Sequence, residues 1–149
     1  MHIYVDADAC PVKEIIERVA KEKSLAVTRV IDVNHILKSD YSEIVTVSQG
    51  ADAVDLYLIN RVCAGDVVVT QDYGVAALAL GKRAKAISNS GLIFNDDNID
   101  KLLFERFLGK KQRNAPKGKK HMSHIAKRTL EDDKSFEREF RSLLEGAGL

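Results

Sequence analysis

Three consecutive valines, Val67 to Val69, constrain the fold of this chain more than any other stretch. A short β-branched run without polar alternation is typical of a strand buried on both faces, and such strands occur in parallel sheets covered by helices. Other short apolar runs alternate with amphipathic helical segments along the chain. The sequence therefore predicts an α/β domain with a mostly parallel sheet, helices on both faces and right-handed crossovers.

The predicted elements follow from apolar periodicity and from Gly and Pro punctuation. Residues 32–42 have no period and are predicted to be an irregular polar connection. The predicted strands cover 2–6, 26–31, 43–47, 67–69 and 84–88, and the predicted helices cover 11–23, 51–64, 75–80, 99–108 and a C-terminal helix within 134–145.

Composition places the chain among ordinary globular proteins. Its 149 residues are 45% hydrophobic and 30% charged, which fits one domain spanning 1–149. No apolar stretch has the length of a membrane span, and no secretory signal is recognisable, so we expect a cytoplasmic protein without membrane contact. Cys10 and Cys63 have no metal-type spacing. We expect Cys63 in the core and Cys10 as a small buried residue, because no histidine base can be matched to it.

Positive charge is concentrated in one segment. Residues 109–128 contain eight Lys and Arg and no acid, whereas residues 1–108 contain 16 acids against 12 Lys and Arg. Gly109 to Lys120 lacks periodicity and is predicted to be a flexible basic loop that either contacts nucleic-acid phosphates or is merely solvated. The predicted phosphate contacts are Lys110, Lys111, Arg113, Lys117, Lys119 and Lys120. No aromatic residue is interleaved with them, so base stacking is not expected there.

Two aspartates follow directly on the first predicted strand. Asp6 and Asp8 lie at the carboxyl end of an apolar run, which is the edge of an open α/β sheet where ligands bind. Either one can instead cap the following helix, since Asp is a preferred N-cap residue. One cap needs one carboxylate, however, so a second acid remains for chemistry.

Further acids are predicted to reach the same edge. Asp52 and Asp55 share a face in the first turn of their helix, and Asp72 follows the valine strand. The alternative for Asp52 and Asp55 is that both only complement the dipole of their helix. Carboxylates that converge would repel one another without a cation, and hard oxygen ligands favour Mg²⁺ or Mn²⁺. Asp66 starts a strand at the opposite edge and is interpreted as a turn residue.

Two motifs, MHIYVDADACPVK and QGADAVDLYLINRVCAGDVVVTQDYGVAALAL, closely resemble the YaiI/YqxD family of bacterial proteins, which is assigned to the PIN-like nuclease fold. That resemblance implies a parallel sheet whose acids bind divalent metal for hydrolysis of RNA or DNA. Asp6 matches the first acidic position of the family's pattern, and Asp8 lies at the position two residues further on. Asp55 or Asp52 matches the second acidic position, and Asp72 matches the third. The acid that many PIN nucleases carry in an earlier helix has only Glu14 or Glu17 as a counterpart here. Asp55 is followed by Leu56, where many family members have a second acid.

Three functions remain open at this point. The first is a metal-dependent phosphodiesterase acting on RNA, with Asp6, Asp55 and Asp72 as metal ligands and with Asp8 and Asp52 in the outer shell or at a second metal. The second is a phosphatase with Asp6 as nucleophile and Asp8 as acid, because a strand followed by Asp-x-Asp also begins such enzymes. The third is a nucleic-acid-binding or scaffold protein of the same fold that cleaves nothing.

Overall fold

The computed structural model describes residues 1–7, 10–32, 38–47, 52–114 and 127–147. These residues form one six-stranded sheet with helices on both faces, as the strand pattern predicts. The strands are β1 (His2–Asp6), β2 (Ala26–Asp32), β3 (Glu43–Val47), β4 (Val67–Val69), β5 (Lys85–Ile87) and β6 (Ile93–Phe94). The helices are α1 (Lys13–Glu22), α2 (Ala53–Arg61), α3 (Tyr73–Gly81), α4 (Asp96–Asn114) and α5 (Leu130–Ala147).

Strand order places β1 at the centre of the sheet. The order is β3-β2-β1-β4-β5-β6, with every pairing parallel except that of β5 with β6. Asp6 pairs in register with Val30 of β2, and its neighbour Val5 pairs with Val69 of β4. The carboxyl ends of β1, β2 and β4 therefore lie side by side at one edge. This mostly parallel architecture is consistent with a PIN-like α/β fold.

Each face of the sheet has its own apolar core. On one face, Ile3 and Val5 pack with α1 and with Phe136 and Phe140 of α5. On the other face, Val68 packs with α2, α3 and α4. The valines of β4 are completely buried, because alternate side chains enter opposite cores and both cores are covered by helices.

Several element boundaries differ from those predicted. β2 extends through Asp32, and a short antiparallel strand, β6, follows β5 where no strand was predicted. α4 continues to Asn114, so Gly109, predicted to begin a basic loop, lies inside a helix. Lys, Gln and Arg are good helix formers, and a helix already begun propagates through one Gly at about 1 kcal/mol. α5 begins at Leu130, four residues before the predicted boundary.

The exposure of Cys63 also differs from the prediction. This residue is exposed, although the pattern of its helix predicted a core residue. The reason is that α2 ends at Arg61, and Val62 has extended backbone angles. Side chains alternate across extended backbone, so Val62 is buried and Cys63 points outward. Over the described ranges, no helix is both long enough and apolar enough to cross a membrane.

Candidate functional site

Asp6 is held at the carboxyl edge of the sheet by a residue of the neighbouring strand. It is the last residue of β1, and its Oδ2 accepts a hydrogen bond of 3.2 Å from Thr70 Oγ1, which follows β4 directly. Asp6 does not cap α1, because that helix begins at Lys13 and the preceding Val12 makes no side-chain cap bond. The alternative prediction that Asp6 is the N-cap of the following helix is therefore wrong.

Thr70 also connects Asp6 to Asp72. The buried Thr70 Oγ1 accepts a 3.0 Å hydrogen bond from the backbone N–H of Asp72. Asp72 Oδ1 in turn accepts from the N–H groups of Gly74 and Val75, at 2.8 and 3.3 Å, and so caps α3. Asp72 is thus the N-cap residue of α3, and it is also linked to Asp6 through the hydroxyl group of Thr70.

Asp55 completes the group from α2. Its partial burial raises the pKa of its carboxyl group, and the nearby charges of Asp72 and Asp52 raise it further, while Arg106 opposes the shift. Negative charges near a carboxyl group disfavour its ionised form, as partial burial does. Asp52 is exposed and precedes α2 without making a cap hydrogen bond. We call Asp6, Asp52, Asp55 and Asp72 the acidic corner.

Arg106 belongs to the site and was not predicted from the sequence. Its Nη1 lies 3.2 Å from Asp72 Oδ1, and about half of its side chain is exposed. It comes from α4, 34 residues further along the chain. The sequence contains only a weak signal for this role, which is that Arg106 is one of only two basic residues in the apolar helical stretch 99–108.

Asp32 is a second residue that the sequence interpretation missed. It ends β2, which pairs with β1, and it lies two residues beyond Val30, the register partner of Asp6. Side chains two residues apart on a strand share a face. Asp32 is therefore on the same side of the sheet edge as Asp6. A strand ending in an acid is the signal that identified Asp6, but the prediction ended this strand at Ile31.

Glu17, one of two offered matches for an earlier acidic position, does not reach the acidic corner. It forms an ion pair with Arg29 Nη2 at 2.6 Å and accepts hydrogen bonds from Ser42 Oγ, at 2.7 Å, and from Ser39 Oγ. Arg29 is buried and pairs in register with Val5, whose side chain faces the core of α1 and α5. The pair therefore lies on the opposite face of the sheet. Glu14 is exposed on α1.

Cys10 behaves as the small buried residue that was expected. Its exposure is 3%, its Sγ lies 3.8 Å from Asn89 Oδ1, and burial raises the pKa of its thiol. A thiol held protonated is a poor nucleophile. Asp66 also has a structural place, because its carboxylate accepts from the backbone N–H groups of His2 and Cys63, at 3.0 and 2.9 Å.

The remaining predicted site residues are described only in part. Asp8 lies outside the described residues, as do Lys117, Lys119 and Lys120. The positions of Lys110, Lys111 and Arg113 fall on the last turns of α4. Across the described ranges, no three His, Cys, Asp or Glu residues lie close enough together to hold a metal ion. The acids of the corner thus lie at one edge of the sheet, but no three of the described ones form a group that could hold a metal ion.

Comparison with known proteins identifies relatives along nearly the whole chain. The model of the uncharacterised YaiI/YqxD family matches residues 4–146. A UPF0178 protein of Clostridium acetobutylicum is 58% identical over 144 residues, which are 97% of each chain. UPF0178 proteins of Lachnoclostridium phytofermentans and Ruminiclostridium cellulolyticum are 56% and 52% identical, over 97% and 93% of this chain and 97% and 88% of their own. No solved structure matches the chain.

Proposed function

Since this chain belongs to the YaiI/YqxD family, whose description names no reaction, we propose its function from the site: hydrolysis of phosphodiester bonds in RNA at the acidic corner, with a divalent cation, Mg²⁺ or Mn²⁺. What supports this proposal is that acids from three separate chain segments lie at one edge of the sheet, where Thr70 links Asp6 to Asp72 and the charge of Asp72 acts on Asp55. Asp6 comes from β1, Asp55 from α2 and Asp72 from the turn after β4. Parallel strands bring such residues to the edge where α/β proteins bind ligands.

The donor chemistry fits a hard cation. Carboxylate oxygens are the ligands that Mg²⁺ and Mn²⁺ prefer. The pKa of Asp55 is raised first by partial burial and then by the charges of Asp72 and Asp52, and a cation would offset the charge repulsion. Asp6, Asp55 and Asp72 are the proposed inner ligands, with Asp8 and Asp52 further out. Asp72 is engaged by Arg106, so a cation held by Asp72 would share this carboxylate with the guanidinium group.

The residues around the acids have separate tasks in this proposal. A divalent cation held by these acids would activate water and neutralise phosphate charge. Thr70 orients Asp6 through its hydroxyl, and the first turn of α3 orients Asp72. Arg106, which lies beside Asp72, carries a planar guanidinium group that suits a phosphate oxygen.

The basic segment suggests a polyanionic substrate. Lys110 lies four residues after Arg106 on α4, which is one helical turn, and Lys111 and Arg113 follow. The concentration of Lys and Arg in residues 109–128 suits a nucleic-acid backbone, since phosphate contacts give affinity without sequence preference. RNA is proposed because of the family resemblance, and an RNA substrate agrees with the cytoplasmic location that we propose.

The direct test is cleavage of a labelled single-stranded RNA by purified protein in Mn²⁺ or Mg²⁺. We expect cleavage by the wild type, a loss of at least about a hundredfold in Asp6→Asn, and wild-type cleavage by Asp40→Asn, which removes an exposed acid elsewhere. Equal cleavage by Asp6→Asn would identify a contaminating nuclease and contradict the proposal.

Two other results would replace the proposal with the alternatives. Turnover of an aryl phosphate with phosphate bound covalently to Asp6 would indicate a phosphatase. RNA binding that weakens steeply with salt, without hydrolysis in any metal, would indicate a binding protein. Cation binding is measured separately by thermal unfolding, because a ligand of the native state raises its stability. Mn²⁺ should stabilise the wild type and Asp40→Asn, but not Asp6→Asn.

A further inference from the structure

Two side-chain amides lie beside the acidic corner, at the same edge of the sheet. Gln71 lies two residues after β4 and directly before Asp72, and Asn89 lies two residues after β5, the neighbouring strand. The backbone N–H of Thr70 donates to the carbonyl oxygen of Ile87 at 3.0 Å, so the two chain segments remain paired beyond β4. Adjacent strands lie about 4.8 Å apart, so both amides are close to the acid that follows β4. We call Gln71 and Asn89 the amide pair.

Hydrogen bonds fix the orientation of both amides. Gln71 Oε1 accepts a 2.6 Å hydrogen bond from the backbone N–H of Asn89. Burial raises the pKa of Cys10, so its thiol is protonated and donates to Asn89 Oδ1, at 3.8 Å from Sγ. Among the described residues, the one buried side-chain polar atom without a partner is Nε of Arg29, so the NH₂ group of Asn89 reaches solvent. Gln71 is itself exposed, and over the described ranges neither NH₂ group donates a hydrogen bond.

The amide pair therefore offers hydrogen-bond donors, while its acceptors are already engaged. Each NH₂ group carries two donors, and a ligand that matches them must supply acceptors. The non-bridging oxygens of a phosphodiester only accept hydrogen bonds. The Watson–Crick edge of every base, in contrast, includes at least one donor that would need an acceptor from the protein. The hydrogen-bonding pattern thus favours a phosphate group over a base.

Arg128 adds a positive charge beside Asn89 and holds its backbone. The Nη2 of Arg128 donates to the carbonyl oxygen of Asn89 at 2.8 Å, and its Nε donates to Asp133 Oδ1 at 2.7 Å. Asp133 balances part of the charge, but Nη1 of Arg128 makes no hydrogen bond to any described residue, and its side chain is 27% exposed. Gly91 packs against the backbone of α5 and fixes the same loop. The donors are thus held in place before a ligand binds.

The end of β4 joins the amide pair to the acidic corner. Thr70 bonds to Asp6, on the side of the edge covered by α2 and α3, whereas the next residue, Gln71, bonds to Asn89. Asn89 contacts Cys10, which belongs to the core under α1 and α5. The connections after β1 and β4 thus diverge to opposite faces of the sheet, and α/β proteins bind ligands in the crevice at such a switch point. A strand lying across the edge can contact both groups together.

We propose that the NH₂ groups of Gln71 and Asn89 form a phosphate subsite, which binds the phosphate group next to the one at the acidic corner. The position of this subsite along the substrate rests on the proposed function, whereas binding there does not require cleavage. Contacts to phosphate orient a strand without reading its sequence. Full affinity therefore requires a strand with at least two consecutive phosphates and is independent of base identity.

Binding of short labelled single-stranded RNAs to the full chain tests the subsite, with one RNA of adenosine and one of uridine. Fluorescence anisotropy is measured in EDTA, where no metal-dependent cleavage occurs. Gln71→Glu keeps an acceptor for the N–H of Asn89 but replaces the donor by a negative charge. We expect it to bind both RNAs at least about tenfold more weakly than the wild type. Asn60→Asp makes the same amide-to-acid change at an exposed residue in the last turn of α2 and should bind like the wild type.

Two further variants separate the lost donor from the added charge. Gln71→Met removes the donor without adding a charge and should weaken binding of both RNAs about threefold. Asn89→Asp keeps an acceptor for the Cys10 thiol and should weaken binding as Gln71→Glu does. Circular dichroism checks that each variant is folded. If Gln71→Glu alone weakens binding, charge repulsion explains its effect and the hydrogen-bonding role of the amide pair is wrong.

The outcomes distinguish this subsite from the proposed hydrolysis. A wild type that binds both RNAs through Gln71 but cleaves neither in Mn²⁺ would support the subsite and contradict hydrolysis. Cleavage in Mn²⁺ together with unchanged binding by Gln71→Glu would support hydrolysis and overturn the subsite. A loss of affinity for only one of the two RNAs would mean that the amide pair reads a base, and it would overturn the phosphate assignment. A wild type that binds neither RNA would overturn it as well.

Discussion

At the scale of single residues, Asp72 joins the fold to the proposed site through one carboxylate. Its Oδ1 caps α3 and lies 3.2 Å from Arg106. Loss of such a cap costs about 1 kcal/mol, whereas an amide oxygen keeps most of the capping bond. Asp72→Asn is therefore the informative variant at this position, because it removes a charge from the acidic corner and retains an acceptor for α3.

The raised pKa of Asp55 predicts a pH-dependent stability. A carboxyl group whose folded pKa exceeds its ordinary value near 3.8 binds more protons when folded, so stability falls as pH rises through that window. Asp55→Asn removes the repulsive charge and should raise the denaturation midpoint at pH 7. The difference from the wild type should vanish below pH 3.8, where both side chains are neutral. Urea denaturation at several pH values measures it.

A lower midpoint for Asp55→Asn at pH 7 would contradict the repulsion that we infer. Asp52→Asn is the matched control, since Asp52 is exposed and adds only part of the charge that acts on Asp55. Its effect should have the same sign and be smaller.

Gly91 is a residue whose backbone and surroundings both require glycine. Its φ is +91°, and a Cβ there would lie 3.0 Å from the carbonyl oxygen of Ser135 and 3.2 Å from Cα of Phe136. Backbone atoms of α5 cannot give way easily. We expect Gly91→Ala to cost about 2–4 kcal/mol, measured by urea denaturation. Gly81→Ala is the control and should be neutral or stabilising, because its Cβ meets nothing within 4 Å.

At the scale of elements, the pair Glu17 and Arg29 joins α1 to β2. Arg29 is 95% buried at its side chain and Glu17 is 82% buried, while Ser39 and Ser42 add hydrogen bonds from the turn before β3. Burial raises the pKa of Glu17, but the hydrogen bonds and the charge of Arg29 outweigh it, so the pKa is lowered overall. Its ionised form therefore stabilises the fold above its ordinary value near 4.5.

Glu17→Gln leaves the buried guanidinium without its counter-charge and should cost about 2–4 kcal/mol at pH 7. The deficit should shrink as pH falls below 4.5, because the wild type then loses the same charge. Urea denaturation at pH 7 and below pH 4.5 measures both the deficit and its decrease in acid. Glu14→Gln, on the exposed side of α1, should leave stability unchanged. A constant deficit across this pH range would mean that the charge of Glu17 is unimportant.

At the scale of the whole molecule, α5 closes the core although it is last in the chain. Phe136 and Phe140 are completely buried and Leu144 is 4% exposed, all against β1 and α1. Arg141 bonds to Glu22 at 2.8 and 3.2 Å, which also links α5 to α1. Exposed ion pairs contribute at most about 1 kcal/mol, so the apolar contacts hold α5 in place.

Phe140→Ala should therefore cost about 3–5 kcal/mol, because it leaves a cavity between α5 and the sheet. Leu130→Ala, at the exposed start of the same helix, should change stability by less than about 1 kcal/mol. Thermal and urea unfolding of both variants measure the difference. A mild effect of Phe140→Ala would mean that α5 docks only loosely on the domain.

The sequence by itself determined the parallel sheet and the acids at its edge. Val67 to Val69 show the apolar run of a doubly buried strand, and Asp6 and Asp72 follow strands whose carboxyl ends must share an edge. These inferences succeeded because periodicity and strand direction are local properties that constrain neighbours in a known way. The same local rule would have included Asp32 had the end of β2 been placed one residue later.

Only the tertiary structure decided which charges meet. Arg106 contacts Asp72 across 34 residues, and Glu17 turns to Arg29 on the opposite face rather than to the acidic corner. Such pairings depend on how helices pack, and no short pattern records that packing. The exposure of Phe104 and Phe107 also depends on tertiary packing. Apolar residues lie on several sides of α4, so the sequence alone does not indicate which of them are buried.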